Sequence, residues 1–141
     1  MYRYNDLASF QSIIELVKRV MKTYILLIED NQDIRESMAE ILDLEGYEVI
    51  TADCGQAGLN LAGKHIPDLI ICDIVMSDLD GYSVYKALQK HSETRHIPVI
   101  FSTAKSEKSD RNKASSLGVE DYLIKPFNDI DLIKCVRKCL K

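Results

Sequence analysis

Short apolar runs alternate with segments of helical periodicity from Tyr24 to the end of the chain. Each run is five or six residues long, as expected for strands buried on both faces of a parallel sheet. No pair of runs is separated by a hairpin turn alone, so we predict five βα units forming one parallel sheet with helices on both faces. The predicted strands are Tyr24–Ile28, Tyr47–Ala52, Leu69–Asp73, Ile97–Ser102 and Val119–Ile124, and the predicted helices cover about 32–44, 56–64, 82–90, 106–117 and 130–140.

The predicted helices differ in the signals that define them. Asp33 and Glu36 have capping-box spacing at the start of the first, and Gly46 predicts its end. Glycines inside the second predict a weak helix, and the segment 106–117 has so few apolar residues that we expect a marginal one. In the last helix we expect the apolar positions to face inward: Ile130, Ile133, Val136 and Leu140.

A separate amphipathic helix is predicted before the first strand. Its apolar residues recur at helical spacing, and such a stripe must be buried against the domain, a second copy or a partner. We hypothesise that it packs against the domain or a second copy; a start site assigned too far upstream is an equal alternative. We divide the chain into a helical extension over 1–22 and a domain over 23–141. The stripe comprises Leu7, Phe10, Ile13, Ile14, Val17, Val20 and Met21.

Composition narrows the functional classes. The chain has 141 residues, 46% of them hydrophobic and 28% charged, which suits a single globular domain. The net charge of −4 argues against nonspecific nucleic-acid binding. No apolar run reaches the roughly 20 residues of a membrane span, and no secretory segment opens the chain, so we expect a cytoplasmic protein. The four cysteines lack CxxC spacing and are expected to be reduced thiols rather than a disulfide or a metal pair: Cys54, Cys72, Cys135 and Cys139.

Polar residues end four of the five predicted strands: Glu29 and Asp30, Asp73, Thr103, and Lys125. The carboxyl ends of parallel strands share one edge, where open α/β sheets place their ligand sites. Three carboxylates so placed repel one another unless a cation lies among them. Oxygen ligands without histidine or cysteine favour Mg²⁺, and an added lysine and hydroxyl favour phosphoryl binding.

Five sequence motifs, in order and at matching spacing, now point to a family. They are Ile28-Glu29-Asp30-Asn31, Ile71-Cys72-Asp73-Ile74-Val75-Met76, Asp80-Gly81, Ser102-Thr103-Ala104 and Tyr122-Leu123-Ile124-Lys125-Pro126-Phe127. The chain from Met21 to Lys141 resembles the receiver domain of bacterial two-component response regulators. This resemblance implies a flavodoxin-like (βα)₅ fold with strand order 2-1-3-4-5.

The resemblance assigns a role to each acidic residue at the predicted edge. Asp73 would be the phosphoacceptor that attacks the phosphoryl group of a phosphohistidine on a sensor histidine kinase or phosphotransfer protein. Mg²⁺ would be held by the carboxylates of Asp30 and Asp73 and the main-chain carbonyl of Val75, with Glu29 acting through water. The domain would accept and hydrolyse its own phosphoryl group and would not be a conventional turnover enzyme.

The resemblance also implies a switch. Thr103 and Lys125 would bind phosphoryl oxygens, and the Lys125–Pro126 peptide would be cis. As Thr103 moves toward the phosphoryl group, Tyr122 would turn inward and remodel the surface formed by the segment 106–117, the fifth strand and the last helix. A downstream protein partner would bind this surface, which the family's own numbering calls α4-β5-α5 because there the segment 106–117 is the fourth helix. No output domain follows Lys141, so we expect signalling by protein contact, without direct nucleic-acid binding.

Three further positions either differ from the family pattern or correspond to positions that affect the lifetime of the phosphoryl group in the family. Ser77 stands where the family usually has proline, which predicts a looser loop after Asp73. Val75 and Lys105 flank the site at positions that tune the lifetime of the phosphoryl group in the family.

Other functions remain as alternatives. A receiver-like module that binds partners without phosphorylation is disfavoured by the intact set of site residues. A haloacid-dehalogenase-like phosphatase needs a second acid where this chain has Val75. A flavodoxin-like FMN carrier is disfavoured because the acidic first loop, Asp30-Asn31-Gln32-Asp33, would repel a phosphate.

Overall fold

A five-stranded parallel sheet in the order β2-β1-β3-β4-β5 forms the centre of the molecule. The structure, a computed structural model, describes residues 4–104, 112–113, 118 and 121–140, with the side chains of 4–7 and 18–20 excepted. The predicted fold is confirmed, including the N-terminal helix. The strands are β1 (Tyr24–Ile28), β2 (Glu48–Ala52), β3 (Leu69–Asp73), β4 (Val99–Thr103) and β5 (Asp121–Ile124), and the helices are α1 (Tyr4–Met21), α2 (Gln32–Leu44), α3 (Gly55–His65), α4 (Gly81–Gln89) and α5 (Asp129–Cys139).

Alternate residues of the central strands face two different helical layers. Leu26 and Ile28 of β1 belong to a core shared with α3 and α4. Ile25 and Leu27 belong to a core shared with α2 and α5. Because successive side chains of a strand point to opposite faces, a continuous apolar run buries both faces of the sheet.

The register of the sheet aligns the polar strand ends. Ile28 of β1 pairs with Cys72 of β3, so Glu29 follows one strand where Asp73 ends the next. Asp73 in turn pairs with Ser102 of β4, one residue before Thr103. The predicted convergence at the carboxyl edge therefore follows directly from strand pairing.

The capping prediction for α2 is wrong by two residues. Asn31, not Asp33, is the N-cap, and its side-chain oxygen accepts the N–H of Ile34 at 3.0 Å. The amide oxygen of Asn31 satisfies an N–H that has no partner within the helix. Gly46 has φ +94°, a left-handed conformation that favours glycine, so the predicted end of the helix is confirmed.

The inward face of α5 is shifted from the predicted one. Asn128 caps this helix in a capping box with Asp131. Ile130 was expected to be buried but is 60% exposed, while Leu132 and Cys135 are buried beside Val136. Packing against the sheet therefore buries a face of α5 that does not include Ile130.

Helix α1 leaves its apolar stripe outside both cores. Its described large apolar side chains are exposed, with Ile14 only partly buried: Phe10, Ile13, Leu16, Val17 and Met21. Neither core contains an α1 residue. The hypothesis that this helix packs against the domain is therefore wrong for the described side chains, and packing against a second copy stays a prediction.

Some predictions lie outside the described residues. They include most of the helix over 106–117, Lys105, and positions 119–120 of the fifth strand. Among the helices that are described, none combines the length and the apolar character needed to cross a membrane.

Candidate functional site

Asp73 ends the central strand β3, and its side chain is 8% exposed to solvent. The N–H of Val75 donates to its Oδ1 at 3.3 Å, so the following loop curls back over the carboxylate. The N–H of Ile74 donates to the carbonyl of Ser102 at 3.2 Å, which ties this loop to β4. The strand end thus holds a largely buried carboxylate with one backbone donor.

Two more carboxylates lie beside Asp73. Each of Glu29, Asp30 and Asp73 offers a carboxylate oxygen within 4.8 Å of the others. Glu29 is 1% exposed and accepts the N–H of Asn31 at 3.3 Å, whereas Asp30 is exposed. The arrangement places one carboxylate on the solvent side and two behind it.

Lys125 supplies positive charge to both buried carboxylates. Its Nζ forms an ion pair with Glu29 Oε1 and lies 3.4 Å from Asp73 Oδ2. Its backbone N–H donates to the carbonyl of Thr103 at 2.8 Å, which extends the pairing of β4 and β5 by one residue. The Lys125–Pro126 peptide is cis, as predicted.

Among Glu29, Asp30, Asp73 and Lys125, negative charge exceeds positive charge when all four side chains are ionised. Burial raises the pKa of Glu29, the hydrogen bond from Lys125 lowers it, and the neighbouring Asp73 carboxylate raises it again, leaving it above its ordinary value. One lysine therefore does not offset three carboxylates. The oxygen-only donor set, its spacing and this excess of negative charge all fit a hard divalent cation such as Mg²⁺.

The two predicted switch residues lie on neighbouring strands. Thr103 is buried and ends β4, beside the end of β3. Tyr122 pairs with Phe101 on β4 and is half-buried against the core beneath α3 and α4. The structure therefore brings Glu29, Asp30, Asp73 and Lys125 into direct proximity and places Thr103 at the adjacent strand end.

Two residues that support the site had no recognisable sequence signal. Arg35 donates from its guanidinium to the carbonyl oxygen of Glu29 at 2.8 Å. Asp78, in the loop after Asp73, accepts the N–H groups of Gln56 and Gly55 at 2.9 and 3.0 Å. These bonds lower the pKa of Asp78 to about 2. Because its partners lie more than twenty positions away, only the folded chain reveals that this carboxylate anchors the loop to the start of α3.

Gly81 is a third supporting residue, for steric reasons. Its N–H donates to the carbonyl of Ile74 at 2.8 Å. A Cβ at this position would lie 2.7 Å from the carbonyl oxygen of Asp73 and 2.9 Å from Ile74 Cα. The start of α4 therefore approaches the end of β3 more closely than any other residue type allows.

Comparison with known proteins agrees with the geometry. The family described as the response regulator receiver domain matches residues 25–137. Among curated relatives, CpxR, a transcriptional regulatory protein of Escherichia coli K12, is 38% identical over 117 residues, which are 83% of this chain and 49% of CpxR. The Guillardia theta protein called probable transcriptional regulator ycf27 is 37% identical over 120 residues, 85% of this chain and 46% of that protein. The chain thus spans about half the length of the curated relatives it matches.

Solved structures give the same result. The chemotaxis protein CheY4 of Vibrio cholerae superposes with a TM-score of 0.81 at 29% identity, covering 84% of this chain and 99% of CheY4. A response regulator of Chloroflexus aurantiacus superposes with a TM-score of 0.80 at 31% identity, covering 84% of this chain and 98% of that one. In both cases the shared region is nearly the whole of the other chain.

Proposed function

Because this chain belongs to the response regulator receiver domain family, we propose that it is a phosphorylation switch whose acceptor is Asp73. The observation that carries this proposal is the position of Asp73, a largely buried carboxylate beside two others and within 3.4 Å of Lys125. Burying a carboxylate costs folding free energy, so a cluster of this kind is typical of a functional or ligand-binding site. The phosphoryl donor would be a histidine kinase or a phosphotransfer protein.

The proposed step is a displacement at phosphorus. A carboxylate oxygen of Asp73 attacks the phosphorus of a phosphohistidine, the P–N bond breaks, and its electron pair returns to the imidazole nitrogen. The product is an acyl phosphate on Asp73 and a histidine on the donor. Lys125 stabilises the charge that develops on the phosphoryl oxygens, and the Thr103 hydroxyl donates a hydrogen bond to one of them.

Glu29, Asp30 and Asp73 would hold Mg²⁺, with the carbonyl of Val75 as a further ligand. Bound Mg²⁺ supplies positive charge that offsets the phosphoryl oxygens and the clustered carboxylates. The mutual approach of three carboxylates to within 4.8 Å, with one lysine beside two of them, supports this assignment.

The output would be a change of packing rather than a released product. Movement of Thr103 toward the phosphoryl group would leave space for Tyr122 to turn inward and would reshape the face that includes β5 and α5. A downstream protein would bind one of the two arrangements in preference to the other. The protein would then act as a switch and not as a turnover enzyme.

The test is the intact mass of the full chain after incubation with a small-molecule phosphodonor, with and without Mg²⁺. We expect the gain of one phosphoryl group only with Mg²⁺, and none in Asp73→Asn. Asp53→Asn is the matched control, because Asp53 is an exposed carboxylate after β2 that lies outside the acidic cluster. A folded wild type that gains no mass and binds no beryllofluoride would contradict the proposal and favour a phosphorylation-independent interaction module.

A further inference from the structure

A second group of metal-binding side chains lies between β5 and α5. The Asp121 carboxylate and the Cys135 and Cys139 sulfurs offer ligand atoms that are all within 4.8 Å of one another. The two cysteines are four positions apart on α5 and therefore share one face of the helix. Asp121 is the first residue of β5, the edge strand on which that face packs. The site thus lies toward the amino end of the strand, whereas Lys125 and the acidic cluster lie past its carboxyl end.

The contacts within the group indicate an affinity for cations. The Cys135 thiol donates a hydrogen bond to Asp121 Oδ2 at 3.4 Å, and the Lys138 ammonium donates to the same oxygen at 3.3 Å. The Lys138 side chain is exposed, and its ammonium group pairs with Asp121. It can therefore move into solvent when a metal ion binds the carboxylate in its place. The Asp121 carboxylate therefore already interacts with a cation, and both sulfurs lie within 4.8 Å of one of its oxygens.

The donor atoms select the kind of ion. Cys135 and Cys139 would lose their thiol protons to solvent as the metal binds, which leaves two thiolates and one carboxylate. This set suits Zn²⁺, which accepts sulfur and oxygen ligands, and does not suit Mg²⁺, which requires oxygen. At Zn–S and Zn–O distances of about 2.3 and 2.1 Å, tetrahedral ligand atoms lie roughly 3.3–3.8 Å apart. The separation of Cys135 Sγ and Asp121 Oδ2 is within that range. No separation in the group exceeds 4.8 Å, so the ligand atoms need to close by at most about 1 Å, which side-chain rotation supplies.

The group is accessible from solvent. A groove of about 410 Å³ is lined by Asp121 and Cys135 together with Lys134 and Lys138, while Cys139 lines a separate cleft near the end of α5. The groove provides an entry path and room for a water molecule at a fourth position, and three protein ligands with one open position are a common zinc arrangement. None of the four cysteines is in a disulfide.

We propose that Asp121, Cys135 and Cys139 form a zinc-binding site that joins β5 to α5. The proposal is independent of phosphorylation at Asp73, because no residue is shared between the two sites. An occupied site would bridge the edge strand and the last helix, two elements that the proposed switch rearranges.

The test is titration of the reduced full-length protein with Co²⁺, which reports sulfur ligation by a thiolate charge-transfer absorption band. We expect one equivalent to bind with this band and one equivalent of Zn²⁺ to abolish it, while excess Mg²⁺ leaves it unchanged. Cys135→Ser, Cys139→Ser and Asp121→Asn are each expected to weaken Co²⁺ binding by at least about tenfold. Circular dichroism of each variant establishes that it is folded.

Two further variants separate this site from adventitious binding. Cys54→Ser removes a thiol that lies at the start of α3 and is expected to leave the band and the affinity unchanged. Lys138→Gln removes the competing cation and is expected to tighten Co²⁺ binding by severalfold, an effect that a merely structural role of the cysteines would not produce. Absence of the band in wild type, or an equal band in folded Cys135→Ser and Cys139→Ser proteins, would overturn the proposal.

Discussion

Lys125 is the residue on which the charge balance of the acidic site depends. It contacts both buried carboxylates, Glu29 and Asp73. We predict that Lys125→Ala lowers the free energy of unfolding by about 2 kcal/mol, because two carboxylates would remain buried without their cation. Urea denaturation without divalent ions measures this loss.

Lys138 provides the matched control for that prediction. It also pairs with an aspartate, Asp121, but its side chain is exposed. Lys138→Ala should change the urea midpoint little, because solvent screens an exposed ion pair. Equal losses in the two variants would contradict a special role of Lys125.

Glu29 gives the site a predictable dependence on pH. Its pKa is raised in the folded state above the ordinary value of 4.5, by burial and by Asp73. Between pH 4.5 and the raised pKa of Glu29 in the folded state, the folded protein binds more protons than the unfolded chain. The stability of the protein therefore falls as pH rises through this interval. In Asp73→Asn we predict a smaller fall over the same interval, because one source of the shift is removed. Urea midpoints measured from below pH 4.5 to neutral pH test this.

Asp53→Asn again provides the comparison. It removes an exposed aspartate from the same edge of the sheet and should leave the pH dependence as in wild type. If both variants had the same slope as wild type, the carboxylates of Glu29 and Asp73 would not interact as described.

At the scale of elements, the approach of α4 to the end of β3 depends on Gly81. An added Cβ would meet backbone atoms of Asp73 and Ile74, which cannot move without displacing the acceptor strand. We predict that Gly81→Ala destabilises the protein by about 2 kcal/mol, a typical cost of overpacking. The variant should also be phosphorylated more slowly, since the backbone that must move to accommodate the added Cβ includes Asp73, the proposed acceptor.

Gly63→Ala is the control within another helix. Gly63 lies in α3, is exposed, and has no atom within 4 Å of an added Cβ. We expect a gain of about 0.5–1 kcal/mol, because alanine loses less conformational entropy in a helix. A loss of stability for Gly63→Ala, or none for Gly81→Ala in the same denaturation experiment, would contradict this description of the helix contacts.

The helices and strands were predictable where a local sequence pattern determines their bounds, and less predictable where tertiary packing determines them. The apolar runs predicted β1 and β3, and parallel pairing then required Glu29 and Asp73 to meet. The N-cap at Asn31 and the exposure of Ile130 were missed, because propensity does not reveal where a helix meets the sheet. Gly58 was taken as a weakness of α3, yet it lets the helix pack against the Ile28 side chain.

At the scale of the whole molecule, the acidic site and the cysteine group differ in how visible they were in the sequence. The acidic site is built from strand ends, whose positions follow from topology. The cysteine group joins Asp121 to Cys135 across fourteen positions, through a contact between an edge strand and the last helix. Cysteine spacing alone predicted only reduced thiols, since the third ligand comes from tertiary packing.

No described side chain of helix α1 belongs to either core, which leads to a prediction for the whole chain. We expect deletion of residues 1–20 to leave the urea midpoint of the remaining domain unchanged. A loss of more than about 2 kcal/mol, the value of one buried large apolar side chain, would show that the stripe is buried against the domain. Sedimentation of both chains at several concentrations tests the remaining hypothesis, that α1 packs against a second copy.

The most direct test of the central claim is to identify which carboxylate carries the phosphoryl group. The phosphorylated protein is treated with borohydride, which reduces an acyl phosphate to an alcohol, and the reduced residue is located by peptide mass spectrometry. We predict reduction at Asp73 alone, with Glu29 and Asp30 unchanged. Reduction at either of those two residues, or at none while the intact mass still shows a phosphoryl group, would contradict the assignment of Asp73 as the acceptor.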